Sequence, residues 1–522
     1  MLWLFYACAA AQVILFSVEE LLMSAKRPNI IMIMTDQQRY DAMGCVNPLV
    51  VTPGIDSLAK DGILFSQAVT QCPMCVPARN SLMFGLYASQ TGVRTNGGAL
   101  LDENRLPSVP LPQRLHDAGY FCAGFGKTHW NNTVKGGAGS RRGFDVRAEG
   151  QSHESVLNEE GAVMMDYEDP EGLKKYYEET GEFGSGEENA LGYMGKISSL
   201  PKEHHRDGFI HRKCIEFLDS YEPDGRPLFL YFSLIKPHAG FNVPQEFEDL
   251  YKLKDIPPLP APPWTEEPPT HIRAAMDASP NLYNAHYGRK ELLDKLTPEE
   301  LKLVRLRYLA NCSFMDSFIS SVLSKIREKG LDKNTLFVFL SDHGDMMGER
   351  DNRYSKYCLY EGSVRVPLIL AGDYVDKKLH GTVSDIPAML TDIVPTLISA
   401  AGLEKDPQLP GTDLLGPVHR RGQFSEFHGG GGEAKQLAPA LMWRTDRYKL
   451  ILYRKGTVND DTPPEGELYD LESDPHEWYN LFDDPAHADT VRRLTIDMVT
   501  HLATAYAKAP AHGDYKGLER LR

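Results

Sequence analysis

The chain has 522 residues, 42% of them hydrophobic and 25% charged, with a formal net charge of −16. A chain of that length and composition buries a large core and belongs with globular proteins, with two or more domains as the prior. The acidic balance argues against nucleic acid or an anionic membrane surface as partner, since either attracts a basic face, so a site for an anionic substrate must gather its cations locally.

In chain order, Met1 to Phe16 is strongly apolar but lacks a basic start, and Glu19 and Glu20 follow it. It is an imperfect secretory signal and too short for a membrane span, so stable membrane insertion is not expected. Residues 1–22 are read as an apolar leader or a miscalled start. The favoured reading begins at Met23 and implies a cytoplasmic protein. A working signal would instead make it periplasmic or secreted.

Asn29 to Met34 is a continuous apolar run of strand length, as expected for a strand buried on both faces, and it ends in Thr35-Asp36-Gln37-Gln38. Tyr120 to Phe125 runs into Gly126-Lys127-Thr128-His129, and Leu228 to Ile235 into Lys236-Pro237-His238. Leu336 to Leu340 runs into Ser341-Asp342-His343. Open α/β sheets form their sites at the carboxyl ends of strands. Four such strands therefore predict one parallel-rich sheet with one site along one edge.

Helical spacing fills the intervals at Thr52 to Gly62, Leu111 to Gly119, Asp207 to Tyr221, Glu299 to Lys329 and Thr391 to Ala401. Gly330 and Gly402 follow the last two as stop signals. Glu149 to Lys202 and the proline-rich Asp255 to Pro269 read as long surface excursions. After Gly402 the texture changes to short alternating segments, Ala440–Thr445, Tyr448–Tyr453 and Glu467–Leu471, closed by a helix from about Ala486 to Tyr506. Residues 23–405 are expected to form a catalytic domain and 406–522 a smaller antiparallel sheet with a helix against it.

The eight cysteines are scattered and do not make a disulfide framework. Cys72-x-x-Cys75 is the one C-x-x-C pair, so a four-cysteine zinc site lacks its second half. Cys75 stands just before a helix-like run, Asn80-Ser81-Leu82-Met83-Phe84-Gly85. A helix start offers free N–H groups and a positive dipole end, and Arg79 adds a fixed cation, so a nucleophile at Cys75 sits in an anion-binding pocket. Asp36, Asp342 and His343 are oxygen-rich ligands with a single imidazole, a set that suits Ca²⁺ or Mg²⁺ better than Zn²⁺.

The Cys75-x-Pro77-x-Arg79 pattern resembles the signature of type I, formylglycine-dependent sulfatases of the alkaline phosphatase superfamily. The likeness runs from residue 28 to about 485. Gly126-Lys127-Thr128-His129 matches the family's G-K-x-H, and Pro237-His238 its P-H. Lys356 lies in Lys356-x-x-x-Tyr360-Glu361, the family's spacing for a sulfate-binding lysine. The resemblance implies a large mixed, parallel-rich sheet sandwiched by helices, with a smaller C-terminal antiparallel sheet. It implies that a maturation enzyme converts Cys75 to formylglycine (3-oxoalanine), whose hydrate attacks a small-molecule or carbohydrate sulfate ester. Arg79, Lys127, His129, His238 and Lys356 become the catalytic set, with His238, Lys356 and Lys236 toward substrate. Asp36, Gln37, Cys75, Asp342 and His343 surround a metal, Ca²⁺ first, with Mg²⁺ or Mn²⁺ as alternatives.

Two positions depart from the pattern: Ala78 replaces the commoner serine, and Gln37 replaces an aspartate and removes a negative charge. Gln37 keeps open a phosphonate monoester hydrolase or phosphodiesterase on the same site. A thiol-redox protein using Cys72 and Cys75 is the alternative of another class. The alcohol carrying the sulfate is not readable from these residues.

Overall fold

Strand β1 (Asn29–Thr35) is the centre of the molecule, and its residues alternate between two cores. Ile30, Met32 and Met34 face one, while Ile31 and Ile33 face the other. A strand covered on both faces has no polar side to show, which is why its run reads as continuously apolar. This computed structural model describes residues 27–96, 108–129, 142–148, 195–265, 296–352, 354–429, 439–453 and 465–508, with Glu171 and Lys174. The apolar leader, most of the expected excursion Glu149 to Lys202 and the last four residues of Asp255 to Pro269 lie outside the described residues.

The other strands of the large sheet are β2 (Gly62–Phe65), β3 (Phe121–Gly126), β4 (Val146–Ala148), β5 (Leu228–Ser233), β6 (Thr335–Ser341), β7 (Leu368–Ala371) and β8 (Thr382–Ser384). They lie in the order β8-β2-β7-β6-β1-β5-β3-β4. Strands β6, β1, β5, β3 and β4 are parallel, while β7 runs antiparallel to both β6 and β2. Register aligns the strand ends: Thr35 pairs with Ser341, and Met34 and Gly126 both pair with Ser233. The chain therefore leaves β1, β3, β5 and β6 at one level, and Asp36, Lys127, Leu234 and Asp342 emerge from the same edge.

On one face pack α1 (Pro53–Lys60), α4 (Arg206–Ser220) and α5 (Pro298–Glu328); on the other, α2 (Cys75–Phe84), α3 (Leu111–Asp117) and α6 (Ile393–Ala400). Helix α5 starts with Thr297 and Glu300 in a reciprocal capping box and Pro298 in its first turn, and Gly330 at φ 67° follows its end. All five helices expected between the strands are present. Helix α2 carries a sequence signal mainly at its start.

Leu409 and Leu414 still pack in the core beside α6, and the small sheet opens with β9 (Gln423–Phe427). Antiparallel β10 (Ala440–Arg444), β11 (Tyr448–Tyr453) and β12 (Glu465–Asp470) complete it, with α7 (Ala488–Lys508) packed against it through Leu494 and Met498. Strand β9 escaped sequence reasoning because Gln423, Ser425 and Glu426 are buried polar residues. The side-chain bonds of Gln423 and Glu426, such as Gln423 Nε2 to the Ala388 carbonyl and Ser89 N to Glu426 Oε1, both at 2.8 Å, replace apolar packing.

Candidate active site

Helix α2 is buried along all ten of its residues, and it aims its first residue, Cys75, at the strand edge. Its N-cap, Met74, offers no capping side chain; Asn96 supplies one from the following loop, its Oδ1 accepting from Val76 N at 3.1 Å. Asn96 N also meets Met74 Sδ, so this loop holds the helix start at two points. Gly126 ends β3 at φ 93°, where a Cβ would run into the Ser233 carbonyl. Glycine there lets Lys127 and His129 approach the neighbouring strand.

Around the Cys75 sulfur stand Lys356 Nζ at 3.0 Å, His343 Nε2 at 3.1 Å and Asp36 Oδ1 at 3.8 Å. The His129 imidazole also hydrogen-bonds this sulfur. Lys127 Nζ pairs with Asp36 Oδ2. Lys356 Nζ reaches further, to His238 Nε2 at 3.0 Å and Gln37 Oε1 at 2.7 Å. The sequence places these residues over a span from 36 to 356, and the fold brings them into one cluster. Lys236 turns to the Gly240 carbonyl in its own loop, while Asp207 accepts from its backbone N–H.

Arg79 is fully buried, and its guanidinium faces protein rather than the mouth of the site. Nε donates to Asp342 Oδ2 at 2.7 Å and Nη2 to Asp36 Oδ2 at 3.3 Å. Nη1 donates to Ser233 Oγ at 3.0 Å and the Lys127 carbonyl at 2.8 Å. The anion-binding role expected for it becomes a carboxylate-orienting one: it holds two acids and the strand that delivers Lys127. A planar fork with five donors suits that work. Ser233 and Tyr231, which complete its shell, carried no sequence signal because they lie inside an apolar strand.

Burial by itself would raise the Cys75 thiol, yet Lys127, Lys356 and His343 outweigh it and hold the group well below the ordinary thiol range. Burial and the Cys75 sulfur likewise push Asp36 up, while Lys127, His238 and Arg79 keep it below the usual carboxylate range. Burial lowers Lys356, but the Cys75 sulfur, Tyr357 and Asp36 raise it further, so it stays an ammonium. Cys72 behaves oppositely: burial beside Met74 and Ala88 pushes its thiol far up. Only one of the C-x-x-C pair is an activated sulfur.

Asp36, Cys75, Asp342 and His343 each offer a ligand atom, all within 4.8 Å of one another. His343 Nδ1 bonds the Gly344 carbonyl at 3.0 Å, which fixes the tautomer that leaves Nε2 as a donor atom. Two carboxylates, one oriented imidazole and the Gln37 amide oxygen fit a hard divalent cation. A cavity of about 340 Å³ lies elsewhere, lined by Arg39, Glu349, Glu361, Arg444 and His476. None of the residues around Cys75 lines it.

The family model described as Sulfatase matches residues 28–403, and one described as N-sulphoglucosamine sulphohydrolase, C-terminal, matches residues 348–504. The uncharacterized sulfatase YidJ of Escherichia coli strain K12 is 28% identical over 494 residues, 90% of this chain and 86% of that protein. The choline-sulfatase of Rhizobium meliloti strain 1021 is 28% identical over 514 residues, 95% of this chain and 89% of that one. Among solved structures, the phosphonate monoester hydrolase of Agrobacterium radiobacter superposes with a TM-score of 0.72 at 24% identity, over 92% of this chain and 96% of that one.

Proposed function

This chain belongs to the sulfatase family and is an enzyme of sulfuric ester hydrolysis, and on that footing we propose that it works through a formylglycine made from Cys75 and a calcium ion. The observation that carries the reading is the activated sulfur at the start of α2, ringed by Lys127, His129, Lys356 and His343. Cys75 Sγ here stands in for the oxygens of the matured residue. Once hydrated, that aldehyde supplies a nucleophilic hydroxyl and, in the same group, a route for releasing sulfate that a serine alkoxide lacks.

The protein's own side chains account for the remaining requirements. Asp36, Gln37, Asp342 and His343 would hold the cation, which supplies charge to neutralise sulfate oxygens. Lys127 Nζ, paired with Asp36, holds an oxygen of the nucleophile, and His129 receives its proton when sulfate is expelled. Lys356 Nζ binds the sulfuryl oxygens. His238 donates from Nδ1 to the Ala239 carbonyl at 2.9 Å and accepts at Nε2 from Lys356 Nζ at 3.0 Å, so Nε2 must first take up a proton before the imidazolium can give one to the departing alcohol. Charge developing on the transferring group meets cations already in place, so little reorganisation is required.

Peptide mass spectrometry of active enzyme should find formylglycine at position 75, and C75A should show no turnover. Full activity with an intact cysteine there overturns the mechanism. Neutral Gln37 favours a second reading, hydrolysis of phosphonate monoesters on the same groups, decided by kcat/KM on matched aryl sulfate and aryl phosphonate esters. For the alcohol, a panel of sulfated sugars, choline sulfate and aryl sulfates is the direct measurement. The maturation enzyme is the one protein partner this reading requires.

A further inference from the structure

Asp345 lies two residues beyond His343, is fully buried, and matched none of the groups expected of the site. Its Oδ1 accepts from Ser355 N at 2.7 Å and Met347 N at 2.9 Å, and its Oδ2 accepts from the Gln37 side-chain amide nitrogen. The other end of that amide, Oε1, accepts from Lys356 Nζ. We propose that Asp345 is a positioning residue that sets the Gln37 amide in one orientation, oxygen toward Lys356 and Cys75, and anchors the loop that carries Lys356. The proposal deepens the reading above and rests on it.

A carboxylate only accepts and an ammonium only donates, so an amide between them has one satisfied orientation. Turned over, it would set an NH₂ against the Lys356 ammonium and an oxygen against the Asp345 carboxylate. Gln37 has no freedom to move away, since its backbone N donates to Asp342 Oδ1 at 3.1 Å and its carbonyl accepts from Tyr308 OH at 2.8 Å. Its φ of 66°, uncommon for a residue with a Cβ, is held by those bonds. The same carboxylate grips Ser355, the neighbour of Lys356, and the Ser355 carbonyl accepts from Met346 N at 2.9 Å. Ser355 and Tyr357 flank Lys356 with φ of 72° and 73°, so this loop depends on outside bonds for its shape. One side chain thereby sets both a donor oxygen of the cluster and the cation beside it.

The test is a double-mutant cycle of Q37E and D345N. In D345N the new amide can keep both backbone bonds through its oxygen but turns an NH₂ toward the Gln37 NH₂. In Q37E the new carboxylate faces that of Asp345. Each single variant is expected to lose about 10²-fold in kcat/KM, the scale of a misplaced catalytic group. The double variant restores an acceptor against a donor at both ends and should recover at least about tenfold over either single. Calcium titration calorimetry, which needs no turnover, should show weakened binding in both singles and recovery in the double. Mass spectrometry of position 75 in each protein checks that maturation is unaffected. Single-variant losses below about threefold, or losses that add in the double, overturn the proposal. Wild-type protein that carries no formylglycine overturns the functional reading instead, and the calcium arm still decides the role of Asp345.

Discussion

At the scale of single residues, the site separates groups that meet substrate from groups that hold them. In the proposed mechanism His238 and Lys356 belong to the first kind: their nitrogens lie 3.0 Å apart, and Lys356 also contacts the Cys75 sulfur. A proton donor matters most when the departing alcohol is a poor leaving group. H238N should therefore lower kcat/KM by about 10²–10⁴ for alkyl or sugar sulfates and far less for an activated aryl sulfate. A leaving-group series measures this, and equal losses across the series would remove His238 from the proton path. K356M should lose about 10²–10³ in kcat, since a fixed cation at the transferring group is removed. Arg79 belongs to the second kind, and its role was legible only in part. The C-x-P-x-R spacing marks the residue, but its guanidinium is directed at Asp36, Asp342 and Ser233, which lie far away in sequence. No local pattern encodes those partners.

Among elements, the two short helices at strand ends depend on caps brought from elsewhere. Helix α1 receives Asp316 of α5, whose oxygens accept from Gly54 N and Ile55 N at 2.8 Å each. Burial, offset in part by these bonds and reinforced by Asp56, pushes Asp316 up to about 6. The folded state then holds a proton that the unfolded chain, with an ordinary aspartate near 3.8, has already released. Asp316 therefore makes stability fall as pH rises from about 4 to about 6, by about 3 kcal/mol in all, with no further change above. In D316N that part of the slope should vanish, read as the difference between the two unfolding free energies across this pH range. Helix α2 is capped by Asn96 in the same borrowed way, and N96A should cost about 1 kcal/mol in chemical denaturation. Helix α1 was readable from its spacing, and α2 from the signal at its start. Their caps were not, because Asp316 and Asn96 lie outside the helices they serve.

Across the whole molecule, a buried group of charges ties the small sheet to the chain that follows the Lys356 loop. Arg444 of β10 makes a two-pronged contact with Glu361, at 2.8 and 3.0 Å, just beyond the loop that carries Lys356. Lys449 of β11, fully buried, lies 2.7 Å from both Glu361 and Glu477, and Glu477 accepts from the Glu361 backbone N–H at 2.8 Å. Removing one partner from such a group leaves an uncompensated charge, so K449M should destabilise the protein by about 3–5 kcal/mol in urea unfolding. Because Glu361 anchors the chain after Lys356, the same variant should raise KM before it unfolds the protein. A K449M enzyme with unchanged stability would show that the Lys449 charge contributes nothing to the joint between the two sheets.

The chain's order of residues was enough to place β1, β3, β5 and β6, because strands buried on both faces must be continuous apolar runs, and each of these runs ends where its candidate site residues begin; the shorter β2, β4, β7 and β8 were not read from it. It also marked Cys75, the proposed nucleophile, since a cysteine, a proline and an arginine at that spacing before a helix form a local pattern. The pairing of Gln37 with Asp345 and with Lys356, across 308 and 319 residues, was decided only in three dimensions. So were the buried polar strand β9 and the destination of Arg79. Apolar burial leaves a periodic trace along the chain, whereas a hydrogen bond between distant loops leaves none. What surrounds Cys75 thus followed from strand ends, and what holds those groups in place followed from the fold.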